Sequence, residues 1–455
     1  MRLVLAVGGV SGFEISGFGP EFREWVRALE RLGCVSPVLL MGHTITRDAR
    51  TGETVHAFRS ADLPFGVLML PCNNRREQIC LPCSLLHNGD SFQIVRSGIV
   101  GGKGVPADVG THPRAFVTVT APSFGPVHRE GALCRPRRDK PVCPRGRALS
   151  CLALHVPGDP LVGAPLCVEC YRYADQVVWN ASAGGLWWRY VRALGRELFR
   201  AAGLPVTDKA VRETLRVSYA RVAEFQRRGV VHFHAVVRVD GPDGGADEPP
   251  AWVTGALLVQ AAQAAGPRVF MDVPGETGPV RIGLGAQLDA QEIGAGGISD
   301  QAAASYLAKY VTKDDGRALV LASPLRSEAW IDQAPRGVLT AHARTLMHTA
   351  WRLGGRDDFG TLRLRQWAHQ LGFRGNVVTK SRAYSTTYGA LRGERQEFRR
   401  AAAGVVLPDE VVTESSWRFV SKGLSPRLAE IAAGVAEDVA MRKGQRPSWI
   451  PDDEP

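Results

Sequence analysis

Apolar residues recur at helical spacing first in "EFREWVRALERLG", where Phe22, Trp25, Val26, Leu29 and Leu32 share a face, with Pro20 ahead and Gly33 behind. That pattern predicts a helix that stops at the glycine. "GHTITRDARTGETVHAF" alternates with period two and predicts a hairpin, and Phe116 to Thr120 in "HPRAFVTVTAPS" predict a strand ended by Pro122. "LWWRYVRALGRELFRAAG" is amphipathic through Trp187, Tyr190, Val191, Leu194 and Leu198, and "TDKAVRETLRV" predicts a second helix behind it. "VAEFQ" and "VVHFHAVVRV" are strands, with "RRG" between them and Gly229 at the left-handed position of a three-residue hairpin. "SDQAAASYLAKYVTKDDG" follows a polar Gly/Pro loop and predicts a helix capped by Ser299 or Asp300. Beyond Arg317 the pattern is mainly helical and basic to about Arg400. The last forty or so residues predict a weak helix and a polar tail.

The histidine hairpin carries candidate chemistry. Side chains of a strand alternate faces, so His232 and His234 point one way while Val231, Phe233 and Ala235 point toward a core. Pairing Gln226 with Val230 sets Glu224 opposite His232 on the histidine face. Two imidazoles and a carboxylate suit a catalytic divalent ion with positions left open for substrate. An ordinary amphipathic hairpin would show the same alternation.

Composition narrows the partners. Fifty-six Lys+Arg against 45 Asp+Glu give a net charge of +11 over 455 residues, with arginine scattered in "NNRR", "CRPRR", "LRLRQW" and "EFRR". A basic, arginine-rich surface favours a polyanion. No apolar run is long enough to span a bilayer and the first residues lack a signal peptide's pattern, so a cytoplasmic protein is expected. Of nine cysteines, eight lie between residues 72 and 170. Without a secretory signal, structural zinc explains them better than disulfides. "CLPC" (Cys80, Cys83) and "CVEC" (Cys167, Cys170) are two knuckles of zinc-binding spacing. Cys134, Cys143, Cys151 and His155 can complete a second tetrahedral site, and Cys72 can displace one of these ligands.

Tyr306 and Tyr310 lie four apart on one face of the helix that follows the hairpin. Lys309 sits beside Tyr310, and Lys313 one turn on. An amphipathic surface helix would also carry such residues. "FVTVT", then "HFH", then "YLAKYVTK" in that order resembles the three-motif signature of HUH endonucleases. With "CNNRREQICLPCS", "EFQRRGVVHFHA" and "LGFRGNVVTKSRAYSTT", the chain is more closely similar to the replication initiators of actinobacterial plasmids and integrative elements, over about residues 72 to 390.

The resemblance implies a rolling-circle initiator that nicks one strand of origin DNA. It implies His232 and His234 as ligands of Mg²⁺ or Mn²⁺, and Tyr310 as the nucleophile that ends as a 5′-phosphotyrosine. Some relatives carry a glutamate one turn before that tyrosine, and here the position is Tyr306. A second tyrosine-dependent transfer can then replace hydrolytic termination. Lys309 or Lys313 can orient phosphate or stabilise phenolate.

The expected fold is α+β: an antiparallel-sheet HUH core with zinc-binding insertions and a basic, helical C-terminal region. The divisions are 1–70, a helix and hairpin; 71–175, cysteine-rich and zinc-binding; 176–318, the catalytic core, completed by the 112–122 strand; and 319–455, a basic DNA-binding region with a mobile tail. Single- and double-stranded origin DNA, a host helicase and a polymerase are the expected partners, and a membrane is not. A conjugative relaxase shares the chemistry but usually places its tyrosine before the histidines. A non-catalytic zinc-dependent DNA-binding regulator would leave Glu224, His232, His234 and Tyr310 without a role.

Overall fold

The histidine hairpin forms the middle of a five-stranded antiparallel sheet in the computed structural model of the chain. Strand Val231–Asp240 lies between Arg216–Phe225 and Arg114–Val119; Val378–Lys380 and Leu288–Glu292 are the edges. The structure describes residues 2–7, 10–16, 19–77, 79–131, 133–135, 138–294, 297–312, 319–321, 323–334, 338–404 and 408–442. Within these it is a mixed α+β protein with antiparallel sheets. None of its described helices is long and apolar enough to cross a membrane.

Both faces of the five-stranded sheet are covered, which is why the central strand is buried almost throughout. On one face, helices Tyr173–Ala201 and Gly255–Ala265 bury Trp179, Trp187, Tyr190 and Leu258 against Phe233, Ala235 and Val237. Each fully buried side chain of this size contributes roughly 1.5–3 kcal/mol of transfer free energy. The other face packs Val95, Ile99, Ala303, Ala304, Leu307 and Tyr384 on Phe116, Val222 and Val236. Ala303, Ala304 and Leu307 come from helix Asp300–Thr312, whose small residues let it lie close to the sheet beside the histidines. Ser299 caps that helix by accepting from Ala302 N, and Arg114 reaches Asp300 at 3.0 Å from the first core strand. Deeper in this face Arg238 and Asp240 are fully buried and paired in two hydrogen bonds of 2.6 and 2.9 Å, with His112 Nδ1 2.8 Å from the same carboxylate.

Contacts divide the chain into two units, Phe92–Thr386 and Met1–Ser91 with Thr387–Pro455. In the second of these, strand Val38–Asp48 pairs with Thr54–Arg59 and Leu68–Leu70, and on its other side with Val411–Lys422. Helices Pro20–Leu32 and Pro426–Arg442 close it through Trp25, Leu29, Leu428 and Ala432. The 319–455 region, expected to be mainly helical, therefore also contains this long strand. The β-branched run of "VVTESSWRFVSK" becomes a long strand because a partner from the other end of the chain offers it an edge.

Candidate functional site

Gly229 turns the hairpin at φ +74°, and Gln226 N donates to Val230 O at 2.8 Å. That register sets Glu224 opposite His232 and Val222 opposite His234. The alternation then brings the three polar groups to one face. Glu224 Oε2 lies 2.7 Å from His232 Nε2 and 3.2 Å from His234 Nε2, and the two imidazole rings are 4.5 Å apart. One donor atom from each of the three residues falls within 4.8 Å of the others, a spacing that fits a single divalent ion. His234 Nδ1 lies 3.1 Å from Thr118 Oγ1 on the adjacent strand, and His232 Nδ1 lies 3.4 Å from Gln226 Nε2. Outer partners of this kind fix ring orientation and leave each Nε2 turned toward Glu224. Burial, ahead of the opposing pull of Glu224, lowers the pKa of His234, a shift toward the neutral imidazole that can ligate a metal.

Helix Asp300–Thr312 brings Tyr306 to this site. Its ring packs edge-on against His234 and against Phe116, both at 5.2 Å, and the residue keeps 40% of its surface exposed. Tyr310 follows one turn later in the same helix; its side chain and all of Lys313 lie outside the described residues. Lys309 is exposed. The contact of Tyr306 with His234 has no sequence signal, because it depends on how the helix crosses the sheet.

The cysteines gather in three clusters, partitioned differently from the sequence expectation. Cys80 and Cys83 join Cys34 and Cys72. Cys167 and Cys170 join Cys143, which therefore does not complete a site with Cys134, Cys151 and His155. Those three close around His128 instead. The separations are of the size a zinc tetrahedron needs: a Zn–S bond of about 2.3 Å gives edges of about 3.8 Å. Cys34 and Cys80 sulfurs are 3.8 Å apart, and those of Cys143 and Cys167 3.6 Å. Cys151 Sγ is 3.1 Å from His155 Nε2 and 3.4 Å from His128 Nδ1, while Asp159 lies 2.6 Å from the far nitrogen of His155. Hydrogen bonding among the thiols, that of Cys34 first, holds Cys72 well below the ordinary thiol range and Cys80 at about 7. Such groups supply thiolate, the metal-binding form.

Cys34 and His128 are the members that spacing does not reveal. Cys34 follows the left-handed Gly33 cap of helix Pro20–Leu32, far in sequence from Cys72. His128 is placed by backbone pairing with Gly163 and Ala164, at 3.0 and 2.9 Å.

These clusters can bind zinc, and the expected effect of removing one is specific. Cys80→Ser with Cys83→Ser should lower zinc content by about one equivalent and lower the thermal midpoint of the protein, since such sites contribute folding free energy directly. Elemental analysis with parallel calorimetry checks this. Zinc content equal to that of the unaltered chain would exclude a metal at the Cys34/Cys72/Cys80/Cys83 cluster.

Among known proteins, the family model described as RepSA, replication initiator protein, pSAM2, matches residues 21–437. A replication initiator protein of Streptomyces ambofaciens is 38% identical over 441 residues, covering 93% of this chain and 92% of that protein. No solved structure matches.

Proposed function

The chain belongs to the RepSA family of replication initiator proteins, and on that premise we propose that it nicks single-stranded origin DNA through a tyrosine nucleophile to start rolling-circle replication. The observation that carries this reading is the convergence of His232, His234 and Glu224 on one point, with a tyrosine-bearing helix packed beside it.

In the proposed reaction the phenolic oxygen of Tyr310 attacks the scissile phosphorus. The bond from phosphorus to the 3′ oxygen breaks, giving a 5′-phosphotyrosine and a free 3′-OH that primes synthesis. One phosphodiester is exchanged for another, so the strand can later be rejoined without an external energy source. Bound Mg²⁺ or Mn²⁺ would polarise the phosphoryl oxygens. Glu224, His232 and His234 would hold that ion, while Thr118 orients His234. Lys309 is available to a phosphate or a phenolate from the helix surface. An antiparallel HUH core with the histidines on its central strand is the architecture this chemistry uses. A phenol with a pKa near 10 is a weak nucleophile at neutral pH, so cationic surroundings are part of the requirement.

Incubation with labelled single-stranded origin DNA and Mn²⁺ should yield a protein–DNA adduct that survives denaturation. A protein that binds this DNA but gives no adduct under any divalent ion would be a regulator, and the nicking reading would fall.

A further inference from the structure

We infer that the metal-binding insertion of residues 126–170 is one wall of a binding groove that holds single-stranded DNA by its phosphates beside the Glu224/His232/His234 site. The inference takes its single-stranded substrate from the function proposed above. A groove of about 770 Å³ separates the insertion from the end of the core sheet. Its cations are Arg129, Arg135 and Lys140 from the insertion and Arg228 from the histidine hairpin, and no aspartate or glutamate is among the described residues that line it. The three insertion cations are exposed. Arg228 is partly buried and donates to neutral oxygens, Gln226 Oε1 at 2.8 Å and Pro122 O at 3.0 Å. It lines the groove and pairs with no carboxylate among the described residues.

The groove reaches the site through Gln226. That residue lines it and also lies 3.4 Å from His232 Nδ1, so a strand seated there runs directly past a metal ligand. No aromatic side chain is among the described lining residues. The groove therefore grips backbone rather than stacking bases, which positions a strand without reading its sequence. The His128/Cys134/Cys151/His155 cluster explains why this wall is metal-organised. Arg129 follows His128 and Arg135 follows Cys134, so an ion at the cluster pins the backbone that carries two of the three insertion cations.

Salt dependence tests the assignment, because each phosphate contact on a single strand contributes about 0.7 to the slope of log affinity against log salt. Arg129→Gln, Arg135→Gln and Lys140→Gln combined should reduce that slope by about 2 and weaken binding of a labelled single-stranded origin oligonucleotide about a hundredfold near 0.1 M salt. Lys209→Gln, Arg212→Gln and Arg216→Gln, which remove the same charge outside the groove, should keep the wild-type slope. Equal slopes for the two triple variants would overturn the groove, as would a loss seen only with duplex DNA. The two readings fail separately. A reduced slope in a protein that never forms the tyrosine adduct supports the groove and removes the nicking reading. An adduct with an unchanged slope removes the groove alone.

Discussion

Replacing His232 and His234 together with alanine should reduce strand cleavage by about three orders of magnitude, while origin binding falls only a few-fold. In the proposed mechanism the two nitrogens that face Glu224 would be the ligand atoms, and an ion that polarises a phosphoryl oxygen is worth several kcal/mol of transition-state stabilisation. At 1.36 kcal/mol per tenfold, roughly 4 kcal/mol accounts for the loss. Binding is carried by many arginines and is spread too widely for two imidazoles to dominate it. Thr118→Val extends the same argument outward: it removes the group that orients His234 and nearly conserves volume. It should raise the Mn²⁺ concentration for half-maximal cleavage by about 10–100-fold. Single-turnover cleavage of a labelled oligonucleotide over a Mn²⁺ series, with anisotropy for binding, measures both. Wild-type cleavage by the double variant would remove the metal site from the mechanism.

The reach of the sequence ends where long-range packing begins. Period-two alternation and one glycine placed Glu224 opposite His232, because a hairpin register follows from its turn and its buried face. The helix that carries the tyrosines was equally legible from its cap and its alanines. The metal clusters were not, since Cys34 and His128 join partners that no local spacing connects to them. Helix Leu81–Val100 was hidden for a different reason. Its glycines and scattered polar residues weaken any amphipathic pattern, and at Gly98 an added Cβ would meet the ring of Tyr384, some 290 residues away. The strand Val411–Lys422 needed its distant partner for the same reason.

Tyr310→Phe should eliminate the covalent adduct, and Tyr306→Phe should retain it. The ring of Tyr306 is fixed edge-on against both Phe116 and His234, and phenylalanine preserves those contacts. In the proposed mechanism it would hold His234 in place, so Tyr306→Ala should raise the Mn²⁺ requirement where Tyr306→Phe does not. Tyr310 follows one helical turn later, directly after the exposed Lys309. Mass spectrometry of the peptide joined to DNA identifies the attacking residue in the unaltered protein. Loss of the adduct with Tyr306→Phe alone would exchange the two roles and make the tyrosine beside His234 the nucleophile. Normal cleavage by both phenylalanine variants would show that the rings serve only packing, and the tyrosine mechanism would have to be abandoned.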